Sequence, residues 1–120
     1  MVANTTGAGN TAVGKDALST NTEGTQNNAV GFQSLRYTTT GLRNNALGYL
    51  ALQNNTTGNN NIGIGDEALG ANTTSNDNTA VGRQALKTNT TGNSNVAVGS
   101  NALDANTTAN NNCAVGHAAL

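Results

Sequence analysis

Proline is absent from these 120 residues, tryptophan is absent, and the aromatics number three: Phe32, Tyr37 and Tyr49. So thin an aromatic complement argues against a broad globular core. Charge is scarce as well, at 9% of residues with a formal net charge of −1. Neither sign dominates, which leaves no electrostatic footprint for nucleic acid or an anionic membrane. The sequence has no apolar run near the ~20 residues of a membrane-spanning helix. Its N-terminus lacks the charged and apolar regions of a signal peptide. A single cysteine, Cys113, excludes an internal disulfide. Leu, Ile, Val and Phe together make 20 residues. That falls short of the roughly one-fifth at which chains usually fold.

What is present answers that shortage. Gly14, Gly31, Gly48, Gly65, Gly82, Gly99 and Gly116 stand 17 residues apart without insertion or deletion. A fixed period of this length marks a solenoid or stacked array, in which each coil buries its inward residues against the next. Aligned on these glycines, the chain reads N-x-A-V-G-x-x-A-L-x-x-N-T-T-G-x-x. Asn opens every repeat: Asn10, Asn27, Asn44, Asn61, Asn78, Asn95 and Asn112. An aliphatic column follows at Val13, Val30, Leu47, Ile64, Val81, Val98 and Val115. A second recurs at Leu18, Leu35, Leu52, Leu69, Leu86, Leu103 and Leu120, each preceded by Ala or Ser. The repeat spans residues 1–120 as one domain.

Gly and Asn-Thr-Thr are poor helix formers, and helical repeats need about 33 residues or more. N-x-A-V-G instead reads as a short strand whose second and fourth residues share a face. The expectation is that the Val13 column and the Leu18 column line the core while the Asn10 column and its Ala neighbours point away. Gly then permits a bend, and N-T-T-G closes the coil through local side-chain bonds and glycine's freedom. The sequence contains no Asn-Gly step, the strongest short hairpin signal. Identical phasing favours parallel stacking at ~4.8 Å, with Asn amides bonding along the rod. The fold class is therefore all-β, a parallel β-solenoid or β-roll of about seven 17-residue coils, roughly 35 Å long at that spacing. So small a core calls for self-association, expected as three parallel chains.

N-x-A-V-G-x-x-A-L resembles the head repeat of trimeric autotransporter adhesins, whose coils carry a Val-Ala-Ile-Gly core. It is more closely similar to the N-T-A-V-G-x-x-A-L-x-x-N-T-T-G repeats of phage-type tail-fibre and related surface proteins. The likeness covers the whole chain. It implies a trimeric, left-handed β-roll at a cell or virion surface, working as a fibre segment.

Individual residues invite narrower readings. Cys113, Asp104 and His117 include a nucleophile and a base, but the ordinary expectation is a small buried Cys and a surface His. Acidic residues fall at scattered phases of the repeat and make no recurring metal set, so no cofactor and no catalysis are expected. Asn4, Asn72, Asn89 and Asn106 begin N-glycosylation sequons, which recur because the turn recurs. The column Thr5, Thr22, Thr39, Thr56, Thr73, Thr90 and Thr107 raises ice binding as a minor alternative. Phe32, Tyr37 and Tyr49 form a candidate surface for glycan or a host protein, an adhesin-type alternative to a plain shaft. The period also runs to both ends, with Met1 at the Leu position and no capping repeat. A piece of a longer fibre, or head-to-tail stacking that sets Asn4–Gly7 against Asn106–Ala109, is expected on that basis.

Overall fold

The computed structural model describes residues 3–120. Met1, which the spacing assigns to the Leu position, lies outside the described residues. Seven three-residue strands follow one another: β1 (Thr11–Val13), β2 (Asn28–Val30), β3 (Asn45–Leu47), β4 (Ile62–Ile64), β5 (Thr79–Val81), β6 (Val96–Val98) and β7 (Cys113–Val115). They form one parallel sheet in chain order. Every pairing is in register at the repeat: Val13 meets Val30, Val30 meets Leu47, and so on to Val98 with Val115. The chain is a β-solenoid of about six turns, and its 40 × 22 × 17 Å extents make a short rod.

Backbone strain explains the glycine period. Gly14 through Gly116 hold φ between 124° and 139°, which L side chains rarely adopt. In the first six of these coils a Cβ would also lie 2.3–2.5 Å from the carbonyl oxygen of the next glycine in the column. Both the torsion and the stacking distance therefore require glycine.

The core is thinner than expected and built differently. Leu18, Leu35, Leu52, Leu69 and Leu86 are fully buried and Leu103 nearly so. They pack with two alanine columns, headed by Ala17 and Ala29. The Leu column is as expected except at Leu120, which is 83% exposed. The Val13 column corrects the sequence reading: it points outward. Val13 is 57% exposed, Leu47 51% and Val115 71%; Val30, Ile64 and Val98 are exposed and Val81 half-buried. In the five central coils the Asn column and the strand Ala (Gly63 in β4) are buried instead. The reason is volume. A 17-residue coil brings its strand so close to the facing Leu that a Cβ at Gly63 would sit 3.1 Å from Leu52 Cγ. Alanine or glycine fits there, and a β-branched side chain does not.

Asparagine tolerates the interior because, among the described residues, all its buried side-chain polar atoms but one are bonded. Asn44 Oδ1 accepts from the backbone N–H of Asn61 at 3.0 Å and from its Nδ2 at 3.2 Å. Asn44 Nδ2 donates to the Gly58 carbonyl at 2.8 Å. The same pattern recurs from Asn10 to Asn112. A second ladder runs through the N-T-T-G turn, where Asn21, Asn72, Asn89 and Asn106 each donate Nδ2 to the Oδ1 of the preceding Asn. Thr38 interrupts it, and among the described residues Asn21 Oδ1 is the buried side-chain atom left without a partner.

Candidate assembly face

The outward side of the sheet carries two parallel columns. One is the Val13 column. The other is Thr11, Asn28, Asn45, Ile62, Thr79, Val96 and Cys113, which alternates with it across the buried strand residue. Sequence reasoning paired these columns correctly and put them on the wrong side. An invariant Asn flanking a small residue was the missed signal: a polar residue that never varies is one with a fixed set of bonds, and those bonds lie inside.

No charged residue occurs in either column. All eleven Lys, Arg, Asp and Glu side chains stand in columns on other parts of the coil. The result is a flat, uncharged, largely aliphatic strip running the length of the rod. Its polar members are Thr11, Asn28, Asn45 and Thr79; Asn28 Nδ2 donates to Asn45 Oδ1 at 2.8 Å.

The aromatic candidates are only partly brought together. Phe32 and Tyr49 stack with ring centroids 5.4 Å apart and planes 10° apart. Lys15 Nζ lies 6.0 Å from the Phe32 centroid. Tyr37 stands in another column, with the Arg36 guanidinium 5.1 Å from its ring centre. Sugar binding by aromatics uses open ring faces, and here the stacked pair covers one face of each ring. The Thr5 column is likewise engaged. Thr22, Thr39, Thr56, Thr73 and Thr90 each donate their hydroxyl to the carbonyl of the next Thr in the column. Those donors are not free to order water.

The remaining candidates disperse. Cys113, expected buried, is exposed on the outer strand face. His117 lies past the Gly116 bend and contacts the Ser100 carbonyl at 3.2 Å through Nδ1. Asp104 accepts from Asn101 at 3.4 Å, and among the described residues no hydrogen bond joins these three. The sequon residues Asn72 and Asn89 are fully buried in the turn ladder, where their amides are already bonded. No group of three or more His, Cys, Asp or Glu among the described residues is placed to hold a metal.

The strongest electrostatic contact is local. Glu67 Oε2 accepts from Lys87 Nζ and from Gln84 Nε2, both at 2.7 Å. The Lys87 bond, then the Gln84 bond, hold the Glu67 carboxyl below its ordinary value, against a smaller opposing effect of desolvation. Beside this pair is a notch of about 210 Å³ where Gly70 and Ala71 replace bulkier residues. Searches of family models, curated proteins and solved structures return no match to this chain.

Proposed function

We propose that this chain is a structural segment of an extracellular or virion fibre, a rod that associates with copies of itself as a trimer of parallel chains. The observation that carries this reading is the uncharged aliphatic strip along the outer strand face. A coil that hides only alanine and leucine has little core, and burying the Val13 column between chains would supply the missing apolar contact. At about 25 cal/mol per Å² of apolar surface, each exposed Val or Ile so covered contributes roughly 1 kcal/mol. The fibre setting and the surface location rest on the resemblance of the repeat to tail-fibre and adhesin-head sequences.

The work is mechanical: spacing and presenting what lies along the rod, with no catalysis and no cofactor. A glycan-binding role has less support, because the Phe32–Tyr49 stack covers ring faces that a sugar would need. Negative-stain electron microscopy with small-angle scattering tests the proposal. Straight particles clearly thicker than the 22 × 17 Å section of one chain are expected. Particles of single-chain thickness at millimolar concentration would count against it.

A further inference from the structure

We infer that the notch at Gly70 and Ala71 is a binding site for a neutral pyranose ring carried at the end of a glycan. The inference goes beyond the assembly reading and does not depend on it. No residue lining the notch belongs to a strand, so the notch and the outer strip are built from different residues. The Phe32–Tyr49 stack is no part of the lining either.

Two neighbouring columns shape the notch. One reads Ser19, Arg36, Gln53, Gly70, Lys87 and Asp104; the next reads Thr20, Tyr37, Asn54, Ala71, Thr88 and Ala105. At Gly70 and Ala71 both side chains shrink together, between the longer pairs of the coils on either side. The gap is about 210 Å³. That is below the roughly 300–1,000 Å³ of pockets for drug-sized ligands, and suits one small ring. Leu50, Gly70 and Ala71 supply its apolar surface.

The polar lining residues have acceptors to spare. Glu67 Oε2 takes the bonds from Lys87 Nζ and Gln84 Nε2. Gln53 and Asn54 spend their amide nitrogens on Gln33 Oε1 and the Gly70 carbonyl, each at 2.8 Å. Among the described residues no donor reaches Glu67 Oε1, Gln53 Oε1 or Asn54 Oδ1. A ligand for these atoms supplies several O–H donors. Charge selects against ions. Lys87 and Glu67, 2.7 Å apart, balance each other. An anion would meet three oxygen acceptors, one of them a carboxylate, and a cation would compete with Lys87 for that carboxylate. A neutral ring with hydroxyls around its edge and C–H groups on its face meets both demands. Its hydroxyls donate to the spare oxygens, and its C–H face rests on Leu50, Gly70 and Ala71.

Titration of the full-length protein, followed by backbone amide NMR, tests this. The probes are the methyl glycosides of glucose, galactose, mannose and N-acetylglucosamine. At least one is expected to saturate with a millimolar dissociation constant, moving the amides of Gly70, Ala71 and Lys87 most. No saturation by any of the four, or shifts scattered along the rod, overturns the inference. Methyl glucosaminide and N-acetylneuraminic acid, a cation and an anion, are expected to bind about fivefold more weakly or less. Equal binding overturns the neutral assignment. A trisaccharide ending in the preferred sugar is expected to bind as well as the methyl glycoside, because Asn54 and Thr88 at the notch are exposed. Loss of binding by the trisaccharide overturns the glycan assignment. Ala71→Tyr, which has a precedent at Tyr37 in the same column, is expected to abolish binding by filling the notch. Glu67→Gln keeps the shape and is expected to weaken binding about fivefold or more. Circular dichroism checks that both variants stay folded, and Phe32→Ser is expected to bind like wild type. Unchanged affinity in both notch variants overturns the site. Sedimentation of the same samples reads association separately, so binding by a monomer leaves this inference standing while the assembly reading falls.

Discussion

Asn61 is bonded to three coils at once, and its amide decides whether a polar side chain can be buried in this fold. Its Oδ1 accepts from Asn78 N and Nδ2 at 3.1 and 3.2 Å, and its Nδ2 donates to the Ser75 carbonyl at 2.8 Å. Asn61→Ala strands a buried N–H and a buried carbonyl, each costing about 1–3 kcal/mol. Chemical denaturation should show a loss of roughly 3 kcal/mol; a loss under ~0.5 kcal/mol would mean water replaces the amide. Thr38 offers the reverse experiment. An Asn there would donate to Asn21 Oδ1, the unpartnered buried atom, as Asn72 donates to Asn55 at 2.8 Å. Thr38→Asn should raise stability by about 1 kcal/mol in the same assay, net of the Thr38 hydroxyl bond it removes. Glu67 gives a pH signature. Its carboxyl titrates below the ordinary 4.5 when folded, so its contribution is present above that value and disappears as pH falls through the lowered one. The side chains of Lys87 and Glu67 are 40% and 29% exposed, which limits the effect to under about 1 kcal/mol. Wild type and Glu67→Gln should therefore differ slightly in Tm at pH 7 and converge only once the pH has fallen below the lowered value.

The coil is built from unusual torsions repeated in phase. Leu18, Leu35, Leu52, Leu69, Leu86 and Leu103 hold φ between 48° and 52°, a left-handed conformation that costs non-glycine residues about 1–2 kcal/mol. Full burial of each leucine, worth roughly 1.5–3 kcal/mol, offsets that strain. Isoleucine has the same volume but branches at Cβ, which the left-handed region accommodates badly. Leu69→Ile should cost more than ~2 kcal/mol in thermal melts, above the ~1.5 kcal/mol ceiling usual for volume-conserving swaps. A cost below 1 kcal/mol would remove the torsional account. Much of the element was legible in sequence: the seven glycines gave the period, N-x-A-V-G the strand, and the Leu column the interior. The sidedness of the strand was not. Val13 and its equivalents look like core residues on hydrophobicity alone, and Asn10 and its equivalents look like surface. What reverses them is the narrowness of the coil, a consequence of packing that no single repeat states. The Phe32–Tyr49 stack was legible as proximity, since both occupy one column; the covering of the ring faces was not.

At the scale of the molecule, one physical shortage runs through every feature. Seventeen residues per coil cannot enclose a large apolar volume, so the interior is completed with hydrogen-bonded asparagine and the Val13 column faces outward. Stacked coils share contacts only with their neighbours, so stability grows with coil number and with whatever covers the outer strip. The assembly proposal follows from that strip. Sedimentation equilibrium on the intact chain, beside Ile64→Lys, tests the central claim most directly. The account predicts a mass that is a multiple of 12.0 kDa for wild type and the monomer mass for Ile64→Lys, whose outward position leaves β-structure by circular dichroism intact. Wild type at 12.0 kDa up to millimolar concentration, or association undisturbed by a lysine in the middle of the strip, would contradict it.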